Sequence, residues 1–194
     1  MVAAFLSLMK VEDVEFWKYV VLENADFLLR KRKTQGAGAA ISIKELVQET
    51  IKQVRGTLGK EITAEAEEVV AQIVCEKCIG DNLWKIKEGY VIPTYFLADI
   101  FLGKANELFS AEERRMKSVL GVDELIDGVA DQLKATFGEK IDAKPRADLH
   151  TFLDKLCRVE QYFKKIQNKY IIFDTKGRDR LKQISADPEG SKAT

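Results

Sequence analysis

The chain is short of the residues that carry most enzyme chemistry. It has one histidine, His150, and three cysteines in 194 residues, and its 31 Lys+Arg balance 31 Asp+Glu. A serine or cysteine triad would have to be built on His150. That residue follows Leu149 on an expected helix, among mixed charges, and reads as a surface side chain. No GxxxxGK(S/T) phosphate loop occurs. Gly36-Ala37-Gly38-Ala39-Ala40-Ile41 begins like a dinucleotide fingerprint, but it lacks the third glycine and follows a helix rather than a strand. Zero net charge excludes a global attraction to nucleic acid or acidic membrane, so any electrostatic function must come from a local patch. Met1 to Met9 is apolar without a basic n-region, and it falls short of the roughly 20 residues a membrane span needs. An arm packed on the body is expected there. Few cysteines and no secretory pattern point to a reducing compartment, cytoplasmic (nucleoid-associated) or nuclear.

Cys75-Glu76-Lys77-Cys78 is a CxxC, but zinc needs four ligands. Cys157 and His150 would complete a Cys₃His set. Against this, Cys78 and Cys157 fall on apolar faces, as core thiols do. Both CxxC cysteines lie toward a helix C-terminus, where the dipole raises a thiol pKa and disfavours redox work. No metal and no cofactor is expected, and the chain reads as non-enzymatic.

What the chain does have is a repeat. Ile43 to Ile62 aligns with Val122 to Ile141 at an offset of 79 residues. Identities fall at Glu45/Glu124, Leu46/Leu125, Gln53/Gln132, Thr57/Thr136, Gly59/Gly138 and Ile62/Ile141. The register continues to Cys78/Cys157 and Trp84/Phe163. After a one-residue slip it resumes at Ile86/Ile166, Tyr90/Tyr170 and Ile92/Ile172. A duplicated unit constrains the architecture before any side-chain chemistry is considered. Each copy is of marginal size for a stable core of its own.

Apolar spacing of three and four predicts a helix over 11–33, with a basic end that suits the helix dipole. Ser42 with Glu45 forms a capping box for a second helix to about Arg55, closed by Gly56 and Gly59. Thr63 caps a third helix, to about Cys78. Leu83 to Pro93 alternates around a glycine and predicts a hairpin, with a short first strand within 39–43. The second copy repeats this order. It has a helix over 95–103, a capping box at Ser110 and Glu113, a helix over 122–137 ended by Gly138, and a helix from Arg146 to about Lys164. The strand Lys169 to Phe173 follows, then DTKGRDRL as turn and continuation, and a polar tail. The expected fold is mainly α with small β-hairpins (α+β). Domain 1 spans 1–94, domain 2 spans 95–184, and 185–194 is a disordered tail.

The copies differ in charge. Glu61 to Glu76 holds five acids and no base, including Glu65, Glu67 and Glu68. A phosphate-lined groove repels such a surface, so copy one is not expected to use this helix on DNA. Lys144 to Lys182 holds 11 bases and 5 acids. Its candidate DNA contacts are Lys144, Arg146, Lys155 and Arg158 on the helix. Lys164, Lys165, Lys169, Lys176, Arg178, Arg180 and Lys182 lie on or after the hairpin, with Tyr162 and Tyr170 nearby. Solvation is the ordinary role of such charges.

Three helices closed by a hairpin, twice over, with LWKIKEGYVI and KKIQNKYIIF as wings, resemble a tandem winged-helix protein. Over Val11 to Lys182 the plan is similar to kite (kleisin-interacting tandem winged-helix) subunits of SMC complexes. The likeness is one of plan, so it carries no functional residue across. It implies kleisin- or SMC-like protein partners, sequence-independent contact with double-stranded DNA, no membrane, and room for a homodimer. The expected role is a subunit of a DNA-handling complex in chromosome maintenance or defence against foreign DNA. The alternative is a free-standing winged-helix regulator or replication initiator.

Overall fold

Helix α1 (Val14–Thr34) sets one face inward at helical spacing: Trp17, Val20, Val21, Ala25, Leu28 and Leu29 are buried. It opens the first of two compact units, Met1–Thr94 and Tyr95–Thr194, into which the chain divides in the computed structural model. The structure describes residues 14–34, 40–58, 64–113, 119–138 and 145–186. These residues are mainly helical, with two small three-stranded antiparallel sheets.

In the first unit, β1 (Ile41–Ser42) leads into α2 (Ile43–Leu58) and then α3 (Ala64–Ile73), which continues as a π-helical turn, Val74–Cys78. The Ile79 amide donates to the Val74 carbonyl at 3.2 Å, five residues back. That wider turn keeps Val70, Val74 and Cys78, four residues apart, all in the core, and leaves Cys75 exposed. The hairpin strands β2 (Leu83–Lys87) and β3 (Tyr90–Pro93) complete a sheet of order β1-β3-β2. Gly89, at φ +76°, supplies the left-handed residue of the hairpin turn. The buried polar side chains of Asn24 and Thr50 are paired: Asn24 donates to the Val20 carbonyl at 2.8 Å and to Gln53, and the Thr50 hydroxyl to the Leu46 carbonyl at 2.8 Å.

The second unit has the same order: α4 (Thr94–Glu113), β4 (Leu120–Gly121), α5 (Val122–Phe137), α6 (Pro145–Arg158), β5 (Phe163–Ile166) and β6 (Tyr170–Phe173). Its sheet runs β4-β6-β5. An added helix, α7 (Thr175–Ala186), follows β6. The core gathers Phe101 and Leu97 of α4, Leu125, Ile126 and Val129 of α5, and Leu149 and Leu153 of α6. Phe101 meets Phe152 with ring centroids 5.7 Å apart, and Phe173 lies against Phe163 at 5.4 Å and Phe109 at 5.0 Å. Gly138, at φ +63°, ends α5, its amide donating to the Lys134 carbonyl.

One detail recurs in both units. The first amide of α2, from Ile43, donates to the Gly89 carbonyl at 2.9 Å, and the first amide of α5, from Val122, donates to the Lys169 carbonyl at 2.8 Å. In each case a hairpin-turn carbonyl satisfies one orphan donor of the second helix.

Several sequence expectations need correction. The hairpin registers pair Leu83 with Pro93 and Phe163 with Phe173. Leu83, not Trp84, therefore occupies the place of Phe163, and both are buried. The one-residue slip falls before the strand, in the loop after the third helix. Trp84 instead matches Lys164, on the opposite side of the strand. Ser110 and Glu113 start no helix, because α4 runs unbroken through both. Gly56 does not end α2, which continues to Leu58. The helix expected to reach Lys164 stops at Arg158, since the Tyr162 amide turns back to the Leu156 carbonyl and Phe163 enters β5. DTKGRDRL is mostly helix, its first turn closed by the Arg178 amide donating to the Asp174 carbonyl at 3.1 Å, and α7 extends to Ala186, into the segment expected to be a tail. Met1 to Met9, Gly36 to Ala39, Gly59, Glu61, Thr63, Lys144 and the tail beyond Ala186 lie outside the described residues.

Candidate partner and nucleic-acid surfaces

Pro145 takes the first position of α6, where its missing amide costs nothing. Leu149, Phe152, Leu153 and Leu156 bury one side of that helix, so Arg146, Asp148, Thr151 and Arg158 are left exposed. The outward charges are mixed. The Arg146 guanidinium stands 3.4 Å from an Asp123 oxygen and 3.3 Å from one of Asp127, both on α5. The His150 Nε2 lies 3.5 Å from Asp123 as well. Lys165 sits on the inward-facing register of β5, opposite buried Ile171, and its ammonium reaches Asp154 of α6.

Further along, Arg180 of α7 grips Asp99 of α4 with two parallel bonds, Nε to Oδ1 at 3.1 Å and Nη2 to Oδ2 at 2.9 Å. Lys182 pairs with Asp179 at 3.3 Å. Lys155 is half-buried and also engaged. The sequence-predicted contacts therefore separate. Lys165 and Arg180 are held by carboxylates of the same unit, while Arg146 is exposed with Asp123 and Asp127 beside it. Arg158, Lys164, Lys169, Lys176 and Arg178 are exposed. The exposed cations with no carboxylate beside them among the described residues lie at the end of α6, on the hairpin and at the start of α7.

The base of the hairpin is tightly built. The Asp174 amide donates to the Tyr162 carbonyl at 3.0 Å, and buried Gly177 sits where a Cβ would stand 2.1 Å from that same oxygen. Only glycine lets the first turn of α7 approach so closely. Burial raises the Tyr162 phenol pKa, with Glu160 adding to the effect. Burial likewise pushes the Cys157 thiol up to about 11. At the hairpin tip the Lys169 amide donates to the Ile166 carbonyl at 3.2 Å, across two left-handed residues, Gln167 at φ +51° and Asn168 at φ +54°.

In the first unit, Glu65, Glu67 and Glu68 fall on α3, which carries no base, and the Glu68 side chain is exposed. Arg32 binds the Ala40 carbonyl and Glu45, tying the end of α1 to the start of α2. Glu45, expected to complete a capping box, thus serves a longer-range pair. Among the described residues no group of three or more His, Cys, Asp or Glu is placed to hold a metal ion, and no helix is long and apolar enough to cross a membrane.

Asp99, Asp123 and Asp127, which pair with Arg180 and Arg146, carry no signal in the sequence that links them to their partners. Comparison with protein-family models, curated proteins and solved structures returns no match to this chain.

Proposed function

We propose that both units are winged helices related by internal duplication, and that the chain is a non-enzymatic tandem winged-helix subunit of a DNA-handling complex. The assembly would be of the SMC/kleisin kind, in chromosome maintenance or defence against foreign DNA. One observation carries the reading: the order helix, strand, helix, helix, hairpin occurs twice, with the strand order 1-3-2 and a hairpin carbonyl on the second helix in both units. Fold alone does not name a function, so the surfaces must supply the rest.

The first unit offers Glu65, Glu67 and Glu68 on its third helix to a basic protein partner, because that sign repels a DNA groove. In the second unit α6 is flanked by Asp123 and Asp127 of α5, whose charge opposes entry of that helix into a groove and leaves phosphate contact to the exposed cations elsewhere in the unit. The backbone contacts are Arg158, Lys164, Lys169, Lys176 and Arg178. Weak, sequence-independent DNA binding follows.

Fluorescence anisotropy with two unrelated duplexes of about 30 base pairs tests the DNA contact, across about 50 to 200 mM salt. Equal affinities that fall with salt are expected, with a shallower salt slope in the variant Lys164→Glu with Lys169→Glu. Nanomolar binding to one palindromic site would instead favour the free-standing regulator. For the subunit role, the tagged chain purified from its own cells should bring down a coiled-coil ATPase or a kleisin-like chain. Recovery of the chain alone would count against it.

A further inference from the structure

The two copies keep the same pair of residues and use them differently. Glu45/Glu124 and Tyr90/Tyr170 are identical positions of the repeat. In the first unit both are taken up inside the fold: Glu45 binds Arg32, and Tyr90 is half-buried and engaged. In the second unit Glu124 is exposed and the Tyr170 ring is 42% exposed. Neither side chain has a hydrogen bond, ion pair or ring contact among the described residues.

The pair shares one surface. β6 is the middle strand of its sheet, and strand alternation turns Ile171 into the core and Tyr170 outward. Gly121 of β4 and Ile166 of β5 lie opposite Tyr170 on that outward face, and Lys164 lies opposite Ile172. Gly121 has no side chain, and the Glu124 carboxylate occupies the space above it, with Oε2 3.7 Å from where a Cβ would stand. Paired Cβ positions on such a face are about 5 Å apart, so the carboxylate lies beside the root of the ring. Lys164 and Lys169 are exposed next to this patch, and neither pairs with a carboxylate among the described residues.

Each group matches one part of an unpaired nucleotide. Any base can stack on an exposed ring. A carboxylate only accepts hydrogen bonds, and guanine offers it two adjacent donors, the ring N–H and the exocyclic amine. Thymine sets its one imide N–H between two carbonyl oxygens, which repel a carboxylate. Lysines meet the phosphates on either side. A basic protein segment would also suit a ring and a carboxylate, but Lys164 and Lys169 oppose it. We infer that the Tyr170–Glu124 patch takes an unpaired base of a single-stranded nucleic acid, guanine best, with Lys164 and Lys169 on its phosphates. This rests on the reading of the hairpin as a phosphate-binding surface, and adds to it a base contact that a closed duplex does not offer.

Fluorescence anisotropy on the full chain tests this at about 50 mM salt, with labelled single strands of about 12 nucleotides. A strand of alternating thymine and guanine binds about fivefold or more tighter than one of thymine alone, and replacing guanine by inosine, which lacks the amine, removes most of that difference. Tyr170→Leu weakens the guanine strand by about tenfold, while Tyr170→Phe, which keeps the ring, stays within about twofold of wild type. Glu124→Ala brings the ratio of the guanine to the thymine strand to about one, whatever it does to either affinity. Both side chains are exposed and unpaired, so these variants keep the fold. Equal binding of the three strands overturns the inference, and so does indifference to Tyr170→Leu. A lysine-rich peptide that binds tighter than any strand, and is released by Glu124→Ala, overturns it in favour of a basic protein segment. Duplexes titrated alongside separate the two readings. If Lys164→Glu with Lys169→Glu leaves duplex and single-strand binding unchanged, the phosphate surface is wrong; if duplexes bind and the guanine preference is absent, only the base contact is.

Discussion

Gly177→Ala sets two physical effects against each other. Alanine is the better helix former by about 0.8–1.0 kcal/mol, so helix propensity alone expects α7 to gain. Tertiary packing expects the opposite. The new methyl carbon would lie 2.1 Å from the Tyr162 carbonyl oxygen, 2.9 Å from its carbonyl carbon and 3.1 Å from its Cα. Those atoms are backbone and have no rotamer through which to escape. Ordinary contact requires about 1 Å or more of retreat by α7. Two bonds oppose that retreat: the Asp174 amide on the same Tyr162 carbonyl at 3.0 Å, and the Arg180 fork on Asp99, three residues further along α7. Overpacking of this kind costs about 1–3 kcal/mol. After the propensity gain, a net loss of up to about 2 kcal/mol remains.

The control is built into the same chain. Gly103 of α4 and Gly56 of α2 are exposed and meet nothing within 4 Å, so alanine at either should stabilise by about 0.5–1 kcal/mol. Gly128 of α5 is intermediate. Its Cβ would stand 2.8 Å from the Lys104 Cε, the far end of a flexible side chain that can move aside. Urea unfolding followed by circular dichroism, with the three controls run alongside, separates the signs. Stabilisation by Gly177→Ala equal to that of Gly103→Ala would refute the docking of α7 on the hairpin base.

Three further outcomes are expected. Cys75 is exposed, Cys78 buried and Cys157 half-buried, so a thiol reagent at pH 8 should label Cys75 rapidly and the other two only as the units open. Burial holds the Cys157 proton in the folded chain up to about 11, against about 8.5 in an unfolded one. That thiol's contribution to stability is complete below about pH 8.5 and declines as pH rises toward 11, a decline that Cys157→Ala should remove from the pH–stability profile. Arg180→Ala and Asp99→Asn should each cost about 1–2 kcal/mol, and a double-mutant cycle should give a coupling of about 1 kcal/mol; purely additive losses would mean the fork contributes nothing. Replacing the left-handed pair Gln167 and Asn168 by Asn-Gly should stabilise the chain by about 1 kcal/mol in the same urea assay, and a loss of stability would show that the native amides make contacts that compensate their strain.

The order of elements was legible in the sequence because its signals are local. Apolar spacing of three and four exposes a helix wherever it lies, alternation around Lys-Glu-Gly exposes the first hairpin, and Gly138 stops α5 at the expected residue. The same locality misled at Ser110 and Glu113, a capping box by composition whose serine lies within α4, a helix already begun at Thr94. It also hid α7, whose first turn depends on how closely Gly177 meets Tyr162.

Charge was legible as a count but not as a surface. Arg180 lies 81 residues from Asp99, and Arg146 lies 23 and 19 residues from its carboxylates on α5. Nothing in the spacing of a linear chain announces such pairs. Once they close, Arg180 is taken up within the unit and Arg146 stands beside two carboxylates, which leaves Arg158 at the end of the third helix, the hairpin and the start of α7 with the exposed cations. The slip in the repeat was resolved the same way, because only strand register, with Leu83 and Phe163 both turned into a core, distinguishes one alignment from its neighbour. The sequence by itself determined two similar runs of helices and hairpins, since periodicity and turn chemistry act over a few residues. Tertiary structure decided which charges and which rings face water, since pairing and burial are settled only by residues that meet across the fold.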